Sequence, residues 1–144
     1  MWNFLSIFVI METTEILKNK FELLIIGKML SPEEALINLG YKLGSDYDNL
    51  CLSIKILNEG WVPDWEDQNQ PKYYNYFRMK GGFSYYYVDY FNTNTYVPSA
   101  LCFKSEDTAN LACLLLLKLY EKVYFIKKVF GVKNIDGWEK NELL

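Results

Sequence analysis

The stretch from Lys72 to Phe91 constrains this chain more than any other. Lys72 to Lys80 and Phe83 to Phe91 are both crowded with Tyr and Phe, side chains that suit a pleated, half-buried surface. Between them stands Gly81-Gly82, a pair that supplies the positive φ of a tight two-residue turn. The pattern predicts an antiparallel hairpin. Asn92-Thr93-Asn94 marks the next turn, and Tyr96 to Lys104 predicts a third strand. Pro98 within it cannot donate to a ladder, so that strand belongs at an edge or a bulge. Sequential strands joined by short turns predict a three-stranded antiparallel meander over 72–104.

Helical spacing brackets this region. Residues 12–30 set Ile16, Leu17, Phe21, Leu24 and Ile25 on a first helix, capped by Thr13 or Thr14. Ser31-Pro32-Glu33-Glu34 starts a short second helix, with Ser31 as N-cap, Pro32 at the first helical position and Glu34 closing a capping box. Ser45 or Asp46 opens a third, with Leu50, Cys51, Ile54 and Leu57 on one face and Gly60 as its stop. Trp61 to Pro71 reads as a loop. Ser105 caps a long last helix from about Glu106 to Phe125, with Ala109, Ala112, Leu116, Leu119 and Val123 in its buried stripe. Helices, then strands, then a helix predict an α+β fold, the last helix packed on one face of the sheet.

The length of 144 residues suits one domain over 1–144. Residues 1–10 form an apolar extension too short to span a bilayer and lacking the basic region of a signal peptide. Translation from Met11 would leave an ordinary helix start. Residues 132–144 read as a weakly ordered tail. No membrane association and a cytoplasmic location are expected.

Strand alternation sorts the rings. Tyr73, Asn75, Phe77 and Met79 fall on one side of the first strand, and Tyr74, Tyr76, Arg78 and Lys80 on the other. In the second strand Phe83, Tyr85, Tyr87 and Asp89 oppose Ser84, Tyr86, Val88 and Tyr90. With aromatics at 17% of the chain, more rings are present than one small interior needs. The face bearing Arg78 and Lys80 is the less core-like. It predicts a binding surface of Tyr74, Tyr76, Tyr86 and Tyr90, with Arg78 and Lys80 as its polar rim. The competing reading buries the same rings under helices.

Catalytic signals are weak. The chain has no His, which removes the commonest general base and metal ligand together. Its three cysteines, Cys51, Cys102 and Cys113, are widely spaced in apolar runs and read as structural thiols of a reducing compartment. Asp64, Glu66 and Asp67 cluster in the loop, but their spacing does not match a calcium loop, and a solvated acidic turn is the simpler reading. They are kept as a second candidate binding face. Gly81-Gly82 lies between strands and fits no phosphate-binding loop. No cofactor, metal or enzymatic activity is expected. The net charge of −3 argues against general nucleic-acid binding, although Tyr rings beside Lys72, Arg78, Lys80 and Lys104 could stack single-stranded bases.

Three segments carry a resemblance. Leu57-Asn58-Glu59-Gly60-Trp61-Val62-Pro63-Asp64-Trp65, Lys72-Tyr73-Tyr74 with Phe77, and Leu101-Cys102-Phe103-Lys104-Ser105 with Ala109 resemble a family of small proteins from phages and prophages of Bacteroidetes. That family shows the patterns L-N-E-G-W-x-P-D-W, K-Y-Y-x-x-F and L-C-F-K-S, and the match spans about residues 47–124. The pattern marks fold more than function, with Asn58, Gly60 and Pro63 as turn chemistry and Trp61 and Trp65 as packing. The resemblance implies a mobile-element binding protein. Anti-CRISPR proteins belong to that class, and inhibitors of type VI-B RNA-guided effectors are the nearest. The expected partner is then a host CRISPR effector nuclease with its guide RNA, whose basic surface the acidic loop could contact. A minor virion or packaging component and a single-stranded nucleic-acid accessory protein are the alternatives.

Overall fold

The computed structural model describes residues 4–124, with side chains from residue 13 onward. It is a mixed α+β fold. Helix α1 (Phe4–Glu22) runs into a π-helical turn (Leu23–Gly27), followed by α2 (Pro32–Asn38) and α3 (Asp46–Leu57). Strands β1 (Lys72–Arg78) and β2 (Ser84–Phe91), a 3-10 turn (Ser99–Leu101) and α4 (Glu106–Tyr124) complete it. Residues 4–10 form the first turns of α1. Residues 1–3 and the expected 132–144 tail lie outside the described residues.

Local side-chain chemistry sets the helix starts. Ser31 Oγ accepts the Glu34 N–H at 3.1 Å while Glu34 Oε1 accepts the Ser31 N–H at 3.0 Å. Ser45 and Asp48 repeat this box at α3, at 3.1 and 3.3 Å. Ser105 Oγ takes the Thr108 N–H at 3.1 Å and caps α4. At the end of α3 the Gly60 N–H reaches back to Lys55 O at 3.1 Å, with Gly60 at φ +79° and Glu59 itself left-handed at φ +54°.

Among the described residues the sheet has two antiparallel strands, not the expected three. Of the expected third strand, Phe103 alone bridges to β1, exchanging both backbone hydrogen bonds with Tyr73 at 3.0 and 2.7 Å. Pro98 brings no N–H, and its carbonyl accepts from Leu101 N at 2.9 Å. Ser99 O likewise accepts from Cys102 N at 3.1 Å. These turn bonds use the groups a ladder would need.

Phe21 from α1, Leu36 from α2, Leu50, Ile54 and Leu57 from α3, Phe103, and Leu116, Leu119 and Tyr120 from α4 form the centre of the core. The hairpin lies against α4 by one face. Asn75 Nδ2 donates to Ala109 O at 3.0 Å, and the Phe77 ring packs on Tyr120 with centroids 4.7 Å apart.

Candidate interface on the outer face of the hairpin

The register decides which rings face solvent. Side chains directly across an antiparallel pair share a face. Tyr73 pairs with Tyr90, Asn75 with Val88 and Phe77 with Tyr85, and this row faces α4. Tyr85 Oη, for example, donates to Asn110 Oδ1 at 3.1 Å. Tyr74 pairs with Asp89, Tyr76 with Tyr87 and Arg78 with Ser84 on the outer face. A β-bulge lies between the Tyr76–Tyr87 and Phe77–Tyr85 pairs, with Tyr86 as the extra residue.

The outer face carries a continuous aromatic ladder. Tyr96 meets Phe91 edge-on at 5.0 Å, and Phe91 stacks on Tyr74 at 4.7 Å. Tyr74 lies 6.2 Å from Tyr76, which stacks on Tyr87 at 5.1 Å. Tyr86 meets Tyr87 edge-on at 4.8 Å, and the Arg78 guanidinium sits 5.0 Å from the Tyr86 ring. Exposure is 43% at Tyr76, 52% at Tyr86 and 41% at Tyr87.

One end of this face is closed by the loop before β1. Lys72 is fully buried, its ammonium donating to Asp67 O at 2.9 Å and Asn92 O at 2.8 Å, 5.2 Å from the centre of the Trp65 ring. Tyr74, one rung along, is only 3% exposed. Burial, with the Asp89 carboxylate adding repulsion, pushes its phenol up to about 12.

The expected surface is therefore divided. Tyr76, Tyr86 and Arg78 are exposed and come together on the outer face. Tyr74 shares the face but is buried in it. Tyr90 is exposed, yet it lies across from Tyr73 on the α4 side, at 5.6 Å. Lys80 is exposed beyond the end of β1, in the turn. Strict alternation in β2 hid Tyr87, which it assigned to the core side with Tyr85; the bulge separates the two. Phe91 was hidden by the same alternation, and Tyr96 by the expected third strand.

The acidic loop is occupied with its own backbone. Asp64 Oδ1 accepts the Glu66 N–H at 3.0 Å, and Asp67 Oδ1 accepts the Asn69 N–H at 2.9 Å. Among the described residues no group of three His, Cys, Asp or Glu is placed to hold a metal ion. Burial raises the Cys51, Cys102 and Cys113 thiols, the opposite of nucleophilic activation. Among the described residues no helix is long and apolar enough to cross a membrane.

Two of the three sequence segments singled out by their pattern, 57–65 and 101–105, meet in space. The Asn58 carboxamide donates to Cys102 O at 2.9 Å and accepts from Lys104 N at 3.1 Å. Glu59 binds Lys104 Nζ at 2.8 Å, and Trp65 Nε1 donates to Ser99 Oγ at 3.0 Å. These residues tie the end of α3 and the 61–71 loop to the 99–104 segment. No protein-family model, curated protein or solved structure matches this chain.

Proposed function

We propose that this chain is a non-enzymatic binding protein that docks on a protein partner through the outer face of its hairpin. The observation that carries this reading is the exposed, mutually packed cluster of Tyr76, Tyr86 and Tyr87 with Arg78 laid over it. Tyr and Arg are the side chains most often found as anchors of protein interfaces. Rings held by their neighbours lose little further freedom on binding.

Ring orientation favours a protein over single-stranded nucleic acid. A base-stacking platform offers open ring faces. Here Tyr76 and Tyr87 are nearly parallel, 10° apart, and cover one another, while Arg78 lies over Tyr86. Edges and hydroxyls are what such rings offer a partner, and those suit side chains and backbone amides.

The partner class rests on the sequence pattern alone. It points to a phage- or prophage-encoded inhibitor acting in the host cytoplasm on a CRISPR effector nuclease of type VI-B with its guide RNA. The test is RNA cleavage by a purified type VI-B effector–guide complex titrated with this chain. Cleavage should stop at near-equimolar chain. Full cleavage at saturating chain, with no complex on gel filtration, would remove this partner.

A further inference from the structure

We propose a second, independent site: a groove behind the hairpin that binds a small amphiphile with an apolar body and one carboxylate. The groove has a volume of about 480 Å³ and runs between α3, the Trp61–Pro63 stretch and the 99–102 turn. That volume lies within the few hundred to a thousand cubic ångströms usual for small-molecule sites. Leu52, Ile54, Trp61, Pro63 and Ala100 make it mainly apolar.

Its walls are fixed before any ligand arrives. Asn58, which also lines it, is held at both ends of its carboxamide by Cys102 and Lys104. Ser99, on the far lip, is held by the Trp65 indole. Trp65 in turn lies against Lys72. A groove that keeps its shape loses little entropy on binding.

Charge selects the ligand. Lys55 lines this groove and also a smaller one of about 180 Å³ on the other side of Leu52. Glu59, which shares the smaller groove with Lys55, is already engaged by Lys104 at 2.8 Å and Lys18 at 3.6 Å. Among the described residues no carboxylate pairs with Lys55. An apolar groove edged by one free ammonium complements an aliphatic or aromatic monocarboxylate.

The probes are octanoate, hexanoate and octanol, titrated into the full chain and followed by backbone amide shifts. Octanoate should saturate, shifting Leu52, Lys55, Trp61 and Ala100. Affinity should fall about fourfold for each methylene removed. Octanol, or octanoate on Lys55→Gln, should bind about three- to fivefold more weakly. Ala100→Trp should abolish the shifts by filling the groove, and Arg78→Ala should leave them unchanged. Equal affinity for octanol and octanoate overturns the proposal, as do shifts centred outside the groove or no saturation. If Ala100→Trp fails to fold, Lys55→Gln and the octanol comparison still decide.

Discussion

The Asn58 carboxamide is buried and satisfies one backbone acceptor and one backbone donor of the 102–104 segment at once. Asn58→Ala leaves both without partners, which should cost about 3 kcal/mol in urea unfolding. Asn58→Asp keeps the acceptor for Lys104 N and should cost less than Asn58→Ala. Equal losses would mean that the bond from Lys104 N matters little. Glu59 next to it is held below the usual carboxylate range, first by the Lys104 hydrogen bond. A carboxyl lowered in the folded state adds stability above its unfolded range, near pH 4.3, and loses it as pH falls through the folded value. The pair is partly exposed, so the gain should stay within about 1 kcal/mol. Wild type and Glu59→Gln should differ at pH 7 and converge in acid. A difference that persists at pH 2 would contradict the ion-pair origin.

The hairpin shows how an element can be read correctly in kind and wrongly in detail. Both strands and the Gly81-Gly82 turn were legible, as were the serine-based caps, because each depends on neighbours a few residues away. The bulge at Tyr86 was not, since it is set by how β2 fits β1 and α4 together. It reverses the face of Tyr87, and with it the membership of the candidate site. The 99–104 segment failed as a strand for a comparable reason: Pro98 and the bonds to Asn58 favour a turn that propensity alone does not favour. The edge of β2 that is unpaired among the described residues is also managed. Tyr73 turns its N–H and C=O to Phe103, so Tyr90 opposite points its own outward, and Asp89 Oδ1 accepts that N–H at 2.8 Å. With the bulge, this blunts strand addition and leaves the face as the accessible surface. The two roles of the outer tyrosines should separate in unfolding experiments. Tyr74→Ala removes a buried ring and should cost about 3 kcal/mol, whereas Tyr76→Ala and Tyr87→Ala should each cost about 1 kcal/mol. Equal losses at all three positions would place the whole ladder in the core.

At the scale of the molecule, the core between α4, α3 and the hairpin is rich in hydroxyls and thiols that resist ionisation. Tyr120, fully buried, is pushed well up by desolvation, as are Tyr124 and, to about 12, Cys113. An acid raised in the folded state keeps its proton while the unfolded chain loses it. Stability is thus intact below the ordinary thiol range, near pH 8.5, and falls as pH rises through it and the phenol range, near pH 10. Alkaline titration should therefore show late, cooperative phenolate absorbance coinciding with loss of helical circular dichroism. Smooth ionisation with the fold intact would contradict the burial of Tyr120. Above this core stands the outward aromatic surface, and the proposed function depends on its serving binding rather than stability. The decisive measurement is the affinity of the Tyr76→Ala/Tyr86→Ala chain for the type VI-B effector–guide complex, with its melting temperature taken on the same sample. An affinity loss of about 2 kcal/mol or more, with melting near that of wild type, is the expected result. Unchanged affinity in a folded double variant would contradict the outer face as the interface.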